Sequence, residues 1–80
     1  MIDLRLLKSD RRWRKTTIGG EFTLRASHFR AKTFIKLKWA SKTILEIKPD
    51  CQLVGNWASK TVVYFRTDRP TEVEILESAA

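Results

Sequence analysis

The chain of 80 residues contains one cysteine, one histidine, two prolines and three glycines, and these scarcities exclude several classes of protein. The single thiol of Cys51 forms no internal disulfide, which excludes a disulfide-stapled scaffold and favours a reducing, cytoplasmic compartment. His28 and Cys51 lie 23 positions apart, whereas a zinc site needs about four nitrogen or sulfur ligands at close spacing. We therefore expect no metal and no other cofactor.

Long apolar runs are also missing, since none approaches the ~18 residues that a membrane-spanning helix requires. The opening residues include Asp3 and lack the apolar stretch and small-residue cleavage site of a signal peptide. Gly19-Gly20 lacks the further glycine and the lysine of a phosphate-binding loop. These absences predict a small soluble protein without a transmembrane segment.

Helical periodicity is hard to find in the sequence, whereas apolar and polar residues alternate through much of it. A period of two is typical of a strand with one buried face. The sequence therefore predicts an all-β fold, a small barrel or two-sheet sandwich of six to seven short antiparallel strands. Residues 1–76 would form this single basic domain, and residues 77–80 a frayed tail. The alternative for residues 71–80 is a short helix.

Three local patterns give this prediction its detail. Ile2, Leu4 and Leu6 alternate with other residues and indicate a first strand. Gly19-Gly20 lies between two alternating runs, a signal of a two-residue hairpin turn because glycine tolerates a positive φ. Residues 52–54 and 60–67 are predicted to be separate strands.

The pentapeptide Trp-Ala-Ser-Lys-Thr occurs twice, at residues 39–43 and 57–61. The structural interpretation is a repeated strand-entry element in which the tryptophan covers a thin core. The functional interpretation is a repeated contact, in which the indole stacks on a base and the lysine meets a phosphate. The sequence leaves open whether Trp39 and Trp57 are core or contact residues.

Positive charge dominates, with 16 lysines and arginines against 9 acids and a net charge of +7. Residues 1–48 carry 13 of these cations and 4 acids, a net +9, whereas residues 49–80 carry 3 cations and 5 acids, a net −2. Such a field attracts polyanions. Nucleic acid is therefore the predicted partner. The alternatives are an acidic protein, an anionic membrane surface, or a basic surface that only confers solubility.

Residues 11–15 are the first candidate nucleic-acid contact, because they place four cations around Trp13. Cations neutralise phosphates and release counterions, and an indole stacks on an unpaired base for roughly 1–3 kcal/mol. The four cations are Arg11, Arg12, Arg14 and Lys15. The alternative is that Trp13 belongs to the core and the cations around it are solvated.

The run from residue 32 to residue 39 is the second candidate surface. Its alternation predicts that Ile35, Leu37 and Trp39 face the core, while an aromatic and two lysines face outward. The outward residues are Phe34, Lys36 and Lys38. This combination resembles a β-sheet platform for single strands, and three further cations could extend it: Arg25, Arg30 and Lys32. Alternatively, Phe34 packs into a second layer and the lysines only extend their ammonium groups to water.

Part of the N-terminal half resembles a known family. The stretch from Leu6 to Leu24 contains Ser9, Arg11, the run from Ile18 to Glu21, and Thr23. These residues are similar to the first strands of the carbon storage regulator family, which are small dimeric β-proteins that bind messenger RNA. The resemblance covers less than a third of the chain and implies translational control. Beyond Ser27 the strand phase differs, and the family's C-terminal helix has no counterpart.

Together these patterns predict a small, basic, non-catalytic nucleic-acid-binding protein with a regulatory role. Single-stranded RNA or DNA is preferred over duplex, because no helix is predicted to enter a major groove. The alternative is a protein-interaction module, an inhibitor or assembly component that docks an acidic protein partner, and exposed strand edges also allow a homodimer. The enzymatic alternative is a metal-free ribonuclease using lysine, arginine and Tyr64.

Overall fold

The computed structural model describes residues 2–78, which form one antiparallel sheet of six strands. The strands are β1 (Ile2–Ser9), β2 (Arg14–Ala26), β3 (Thr33–Lys36), β4 (Leu45–Ile47), β5 (Leu53–Thr67) and β6 (Thr71–Ser78). Their order in the sheet is β1-β6-β2-β5-β3-β4. The predicted all-β class is confirmed. The predicted tail is described only as far as Glu77 and Ser78, which end β6, whereas Ala79 and Ala80 lie outside the described residues.

The sheet curls around one core but does not close into a barrel. β1 and β4 are its two edges, and no ladder joins them. The end of β1 nevertheless approaches the end of β5, where the Thr67 amide donates a hydrogen bond to the Asp10 carbonyl over 2.8 Å. β4 has only three residues and pairs with β3 alone, so it is too short to bridge the remaining gap.

Gly19-Gly20 does not form the predicted hairpin turn, because β2 passes through it as one strand of 13 residues. Gly20 has a φ of 71°, and a Cβ atom there would lie 2.8 Å from the Ser78 carbonyl oxygen. The register between β2 and β5 shifts at this point, between Ile18 and Gly20. The glycines therefore bend the strand instead of reversing it. Opposite them, the two strands predicted at residues 52–54 and 60–67 are continuous in β5.

The core consists of alternate residues from five strands: Ile18, Phe22, Leu24, Ile35, Ile47, Val63, Phe65, Val73 and Ile75. The predicted first strand is present as β1, and its alternating apolar residues lie on the outer face. Ile2, Leu4 and Leu6 are exposed, whereas Leu7 packs against the core. The cause is the register with β6, which places Leu7 beside the fully buried Val73.

β3 is shorter than the predicted strand and ends at Lys36. The amide of Ser41 donates to the carbonyl of Lys38 over 2.9 Å, which turns the chain before it returns as β4. Leu37 and Trp39 are consequently exposed instead of facing the core with Ile35. The segment after Pro70 is a strand and not the alternative helix. Within residues 2–78, no helix is long and apolar enough to span a membrane.

Candidate nucleic-acid interface

The outer face of the sheet brings the two predicted contact surfaces together at β5. Phe34 of β3 lies beside Arg66 of β5, and Lys36 lies beside Tyr64. On the other side of β5, Lys15 of β2 also pairs with Tyr64. Neighbouring residues in a ladder present their side chains on the same face. Lys15, Tyr64 and Lys36 therefore form one line across three strands.

Aromatic rings and cations alternate on this face. The Arg66 guanidinium carbon lies 4.6 Å from the Phe34 ring centroid and 5.1 Å from that of Trp13. The Lys36 ammonium lies 4.4 Å from the Trp13 centroid and 4.5 Å from that of Trp39. All four distances fall within the range of cation–π attraction. We call this series of five side chains, Phe34, Arg66, Trp13, Lys36 and Trp39, the aromatic–cation row.

Lys36 is the most deeply held cation of the row, since only 8% of its surface is exposed. Its Nζ donates a 2.7 Å hydrogen bond to the Trp39 carbonyl. A buried ammonium loses hydration, and its contacts with the two indole rings and this carbonyl compensate for part of that loss. The contacts lock Trp39 against the sheet, where its ring also lies 5.5 Å from that of Tyr64.

The positive charge of the row is not neutralised by a carboxylate of the described residues. Four ion pairs occur among them: Arg5–Glu77, Arg14–Asp10, Arg25–Glu74 and Arg69–Asp68. Lys36 and Arg66 take part in none, and the buried Nε of Arg66 has no hydrogen-bond partner within this part of the chain. A partly buried cation without a counterion creates a positive potential that reaches the surface.

Two aromatic side chains present open rings to solvent close to exposed cations. Trp39, at one end of the row, is 61% exposed and follows Lys38 in the chain. Phe29, in the connection between β2 and β3, is 63% exposed. The Phe29 ring stacks on His28 at 5.3 Å between centroids, and the Arg30 guanidinium lies 5.3 Å from its centroid.

The other predicted contact residues lie in three different settings. Lys32 and Lys38 are exposed just before and just after β3, and Arg12 is exposed in the turn after β1. Arg11 is held by a hydrogen bond from its Nε to the Asp68 carbonyl, at 3.0 Å. Arg14 is ion-paired with Asp10 at 2.9 Å, so part of its charge is neutralised.

Arg25 is the one predicted contact that the fold separates from the rest. It pairs with Glu74 of β6 at 3.1 Å. It therefore lies near the far end of β2, on the half of the sheet that carries β1 and β6. This position makes Arg25 a natural control for experiments on the aromatic–cation row.

Two carboxylates organise the cations beside the row. The pKa of Asp10 is lowered by its hydrogen bond with the Arg14 side chain and by the Arg12 amide. For Asp68, desolvation raises the pKa, but hydrogen bonds from the Arg69 side chain and the Lys32 amide outweigh it, so the net shift is downward. Both groups stay ionised near neutral pH, and Asp68 fixes the backbone at the start of β3.

Sequence reasoning did not include Arg66, Tyr64 and Phe29 among the nucleic-acid contacts, and it left Trp39 open between core and contact. Arg66 and Tyr64 could have been found, because they alternate with Val63 and Phe65 and so occupy the outward positions of β5. For Trp39 the repeated pentapeptide allowed a contact and the alternation favoured the core, and the outcome depends on where β3 ends.

Trp57 marks the difference between the two copies of the repeated pentapeptide. Its ring lies 4.6 Å from that of Phe22 and packs against the core. Trp57 and the four residues after it continue within β5, whereas Trp39 and the four residues after it form a turn and an irregular segment. The same five residues therefore supply one core-side indole and one outer indole.

Metal-ligating side chains are not clustered in the described part of the chain. Within residues 2–78, no group of three or more histidine, cysteine or acidic side chains could hold a metal ion. Cys51 is an exposed free thiol.

Comparison of the chain with protein-family models, with curated proteins and with solved structures finds no match.

Proposed function

We propose that this chain is a non-catalytic, regulatory protein that binds single-stranded RNA or DNA on the aromatic–cation row. The observation that carries the proposal is the position of Lys36 and Arg66, which lie among aromatic rings without a carboxylate partner in the described residues. Phosphates supply the negative charge that this arrangement lacks, and unpaired bases supply flat rings for the exposed aromatics.

In this proposal the exposed rings and the exposed cations have different roles. A base stacks on Trp39, and a second base can stack on Phe29. Each stacked base contributes roughly 1–3 kcal/mol. Lys15, Lys32 and Lys38 contact phosphates as mobile point charges, whereas Lys36 and Arg66 hold the row in shape and add a fixed positive potential.

Single strands suit this surface better than a duplex. A duplex hides the faces of its bases, and reading its major groove needs an inserted helix or β-ribbon. The structure has no helix in residues 2–78, and the row lies on the open face of a curled sheet. An unpaired strand can turn its bases toward the rings while its backbone follows the cations.

Fluorescence anisotropy with labelled single-stranded RNA, single-stranded DNA and duplex DNA tests the proposal. We expect binding of at least one single strand, stronger than duplex, that falls steeply between about 50 and about 200 mM salt. Neutralising Lys15 and Lys38 with glutamine should reduce the slope of log affinity against log salt by roughly one to two.

Arg25→Gln is the matched control, because it also removes one cation but lies on the other half of the sheet. It should leave the affinity within about twofold. Equal losses in Arg25→Gln and in Lys15→Gln would mean that only net charge matters, and the row would then have no special role. No binding of any of the three probes at low salt would overturn the proposal.

A further inference from the structure

A second surface of the molecule is an apolar groove on the core side of the sheet. It has a volume of about 300 Å³. Apolar lining residues from four strands include Phe22, Ile35, Leu45, Leu53 and Trp57, and Lys36 also borders the groove. Leu45 and Leu53 point toward the core but are incompletely covered, and Leu45 is 48% exposed. The groove is therefore the side on which the curled sheet leaves its own core open.

One wall of the groove is an unpaired strand edge. Residues 53–57 of β5 pair with β2 on one side. On the other side, β3 pairs only with the far end of β5, from Tyr64 to Thr67. No backbone hydrogen bond within residues 2–78 joins the first half of β5 to the loop opposite. In residues 53–57, about half of the amides and carbonyls point away from β2 toward the groove, and they have no backbone partner in the described part of the chain.

The chain segment that forms the opposite wall carries positive charge outside the groove lining. Leu37, Ser41 and Thr43 line it, and Lys38 and Lys42 are their direct chain neighbours. Both lysines are exposed, and neither forms an ion pair with a described carboxylate. An occupant that presents apolar groups to the floor and negative groups to this rim complements both features.

We propose that the groove binds an extended peptide segment in which apolar and acidic residues alternate, added as a strand to the free edge of β5. In an added strand, every second side chain enters the groove, and the spacing of about 6.6 Å fits about two of them along residues 53–57. The intervening acidic side chains point toward the rim that carries Lys38 and Lys42. The peptide's backbone completes the ladder that β5 leaves open.

The test uses a fluorescein-labelled peptide of about nine residues in which valine and glutamate alternate. We expect saturable binding to the full chain by anisotropy. A peptide with the same composition, but with its valines and glutamates in two blocks, should bind at least about fivefold more weakly because its period is lost. Equal binding of the two peptides would overturn the proposal, as would no binding at about 1 mM.

Backbone methylation tests strand addition directly. Methylating the valine amides blocks one edge of the peptide, and methylating the glutamate amides blocks the other. We expect one of the two methylated peptides to lose binding by about tenfold and the other to retain it. Full binding of both would show that the edge of β5 is not used and would overturn the proposal.

Two variants locate the site on the protein. Leu45→Ser removes an apolar lining residue and should weaken peptide binding by about fivefold or more. Lys42→Glu should weaken it by about threefold or more through repulsion of the acidic peptide. Leu4→Ser is the matched control, because Leu4 is similarly exposed but lies on the outer face of β1, and binding should be unchanged. Equal losses in Leu4→Ser and Leu45→Ser would overturn the assignment.

Two further measurements distinguish the peptide from other possible occupants of the groove, a second copy of the chain and RNA. Sedimentation at the assay concentration detects a second copy of the chain; a dimer that Leu45→Ser dissociates would give the groove to the chain itself and overturn the peptide proposal. RNA affinity of Leu45→Ser should equal that of the unmodified chain, because Leu45 lies on the opposite face from the aromatic–cation row. The groove proposal and the row proposal can therefore be refuted separately by this variant, although Lys38 takes part in both.

Discussion

Replacing Lys36 by glutamate should destabilise the fold strongly, whereas the same change at Lys38 should not. Lys36 is nearly buried between Trp13 and Trp39 and donates a hydrogen bond to the Trp39 carbonyl. Lys38 is exposed and outside the strands. The two residues are similar in the sequence, so only this difference in burial separates the expected outcomes.

The size of the effect follows from the contacts of the ammonium group. Each ring contact contributes about 1–2 kcal/mol when desolvated, and a hydrogen bond from a charged donor about 1.5–3 kcal/mol. Removing the ammonium also removes the cost of desolvating it, which offsets much of the lost stabilisation. A carboxylate against the negative faces of two rings adds a penalty of about 1–3 kcal/mol. We expect a net loss of about 3 kcal/mol for Lys36→Glu, within the range of buried-charge substitutions.

Thermal unfolding followed by circular dichroism measures this loss. For a domain of this size, 1 kcal/mol corresponds to about 4–8 °C, so Tm should fall by roughly 12–24 °C for Lys36→Glu. Lys38→Glu should change Tm by no more than a few degrees and should weaken nucleic-acid binding. Lys36→Met keeps a long unbranched side chain without the charge, and its Tm should lie between those of the two glutamate variants. A Tm for Lys36→Glu close to that of the unmodified chain would show that the aromatic–cation row does not hold Lys36 as described.

Three other predictions test the site and the fold. Trp39→Ala should weaken single-strand binding by about 1–3 kcal/mol in anisotropy measured well below its Tm, and Tm should fall by roughly 4–16 °C because one ring contact of Lys36 is lost; unchanged binding by the folded variant would contradict a stacking role. Gly20→Ala should lower the free energy of unfolding in urea by about 1–3 kcal/mol, because of the positive φ and the close Ser78 carbonyl. Asp68 has a folded pKa below its ordinary value of 3.8, so its stabilising effect is present above about pH 4 and lost as the pH falls further. Asp68→Asn should therefore be less stable at pH 7 and show a shallower loss of stability on acidification, and an acid-unfolding curve parallel to that of the unmodified chain would contradict this.

β3 places the two proposed sites on opposite faces of the same short strand. The side chains of Phe34 and Lys36 belong to the outer row, whereas Ile35 between them lines the groove, which Lys36 also borders. Alternation along a strand makes this possible, because successive side chains point to opposite faces. Because Lys38 is proposed to contact both ligands and Lys36 borders both sites, we expect a single strand of nucleic acid and the acidic peptide to weaken each other's binding, which anisotropy with one labelled ligand and excess of the other would detect.

Much of the outer row could be predicted from local pattern. The alternation of Phe34, Ile35 and Lys36 correctly gave the face of each side chain in β3, because pairing with the long strand β5 fixes the register. Arg66 was equally predictable from the alternation in β5. The cation–π contacts with Trp13 were not predictable, because they join residues that are distant in the chain and depend on β5 lying between β2 and β3.

The sequence by itself determined the all-β class and the excess of positive charge in the first 48 residues, since these depend on local period and on composition. The tertiary structure decided the rest. Register with β6 turned Leu7 of β1 toward the core, and pairing with β5 on both sides of the register shift made Gly20 part of a bend instead of a turn. The repeated pentapeptide shows the reason most directly: identical local propensities give a strand at Trp57 and a turn at Trp39, because pairing with β2 is available to the first and not to the second.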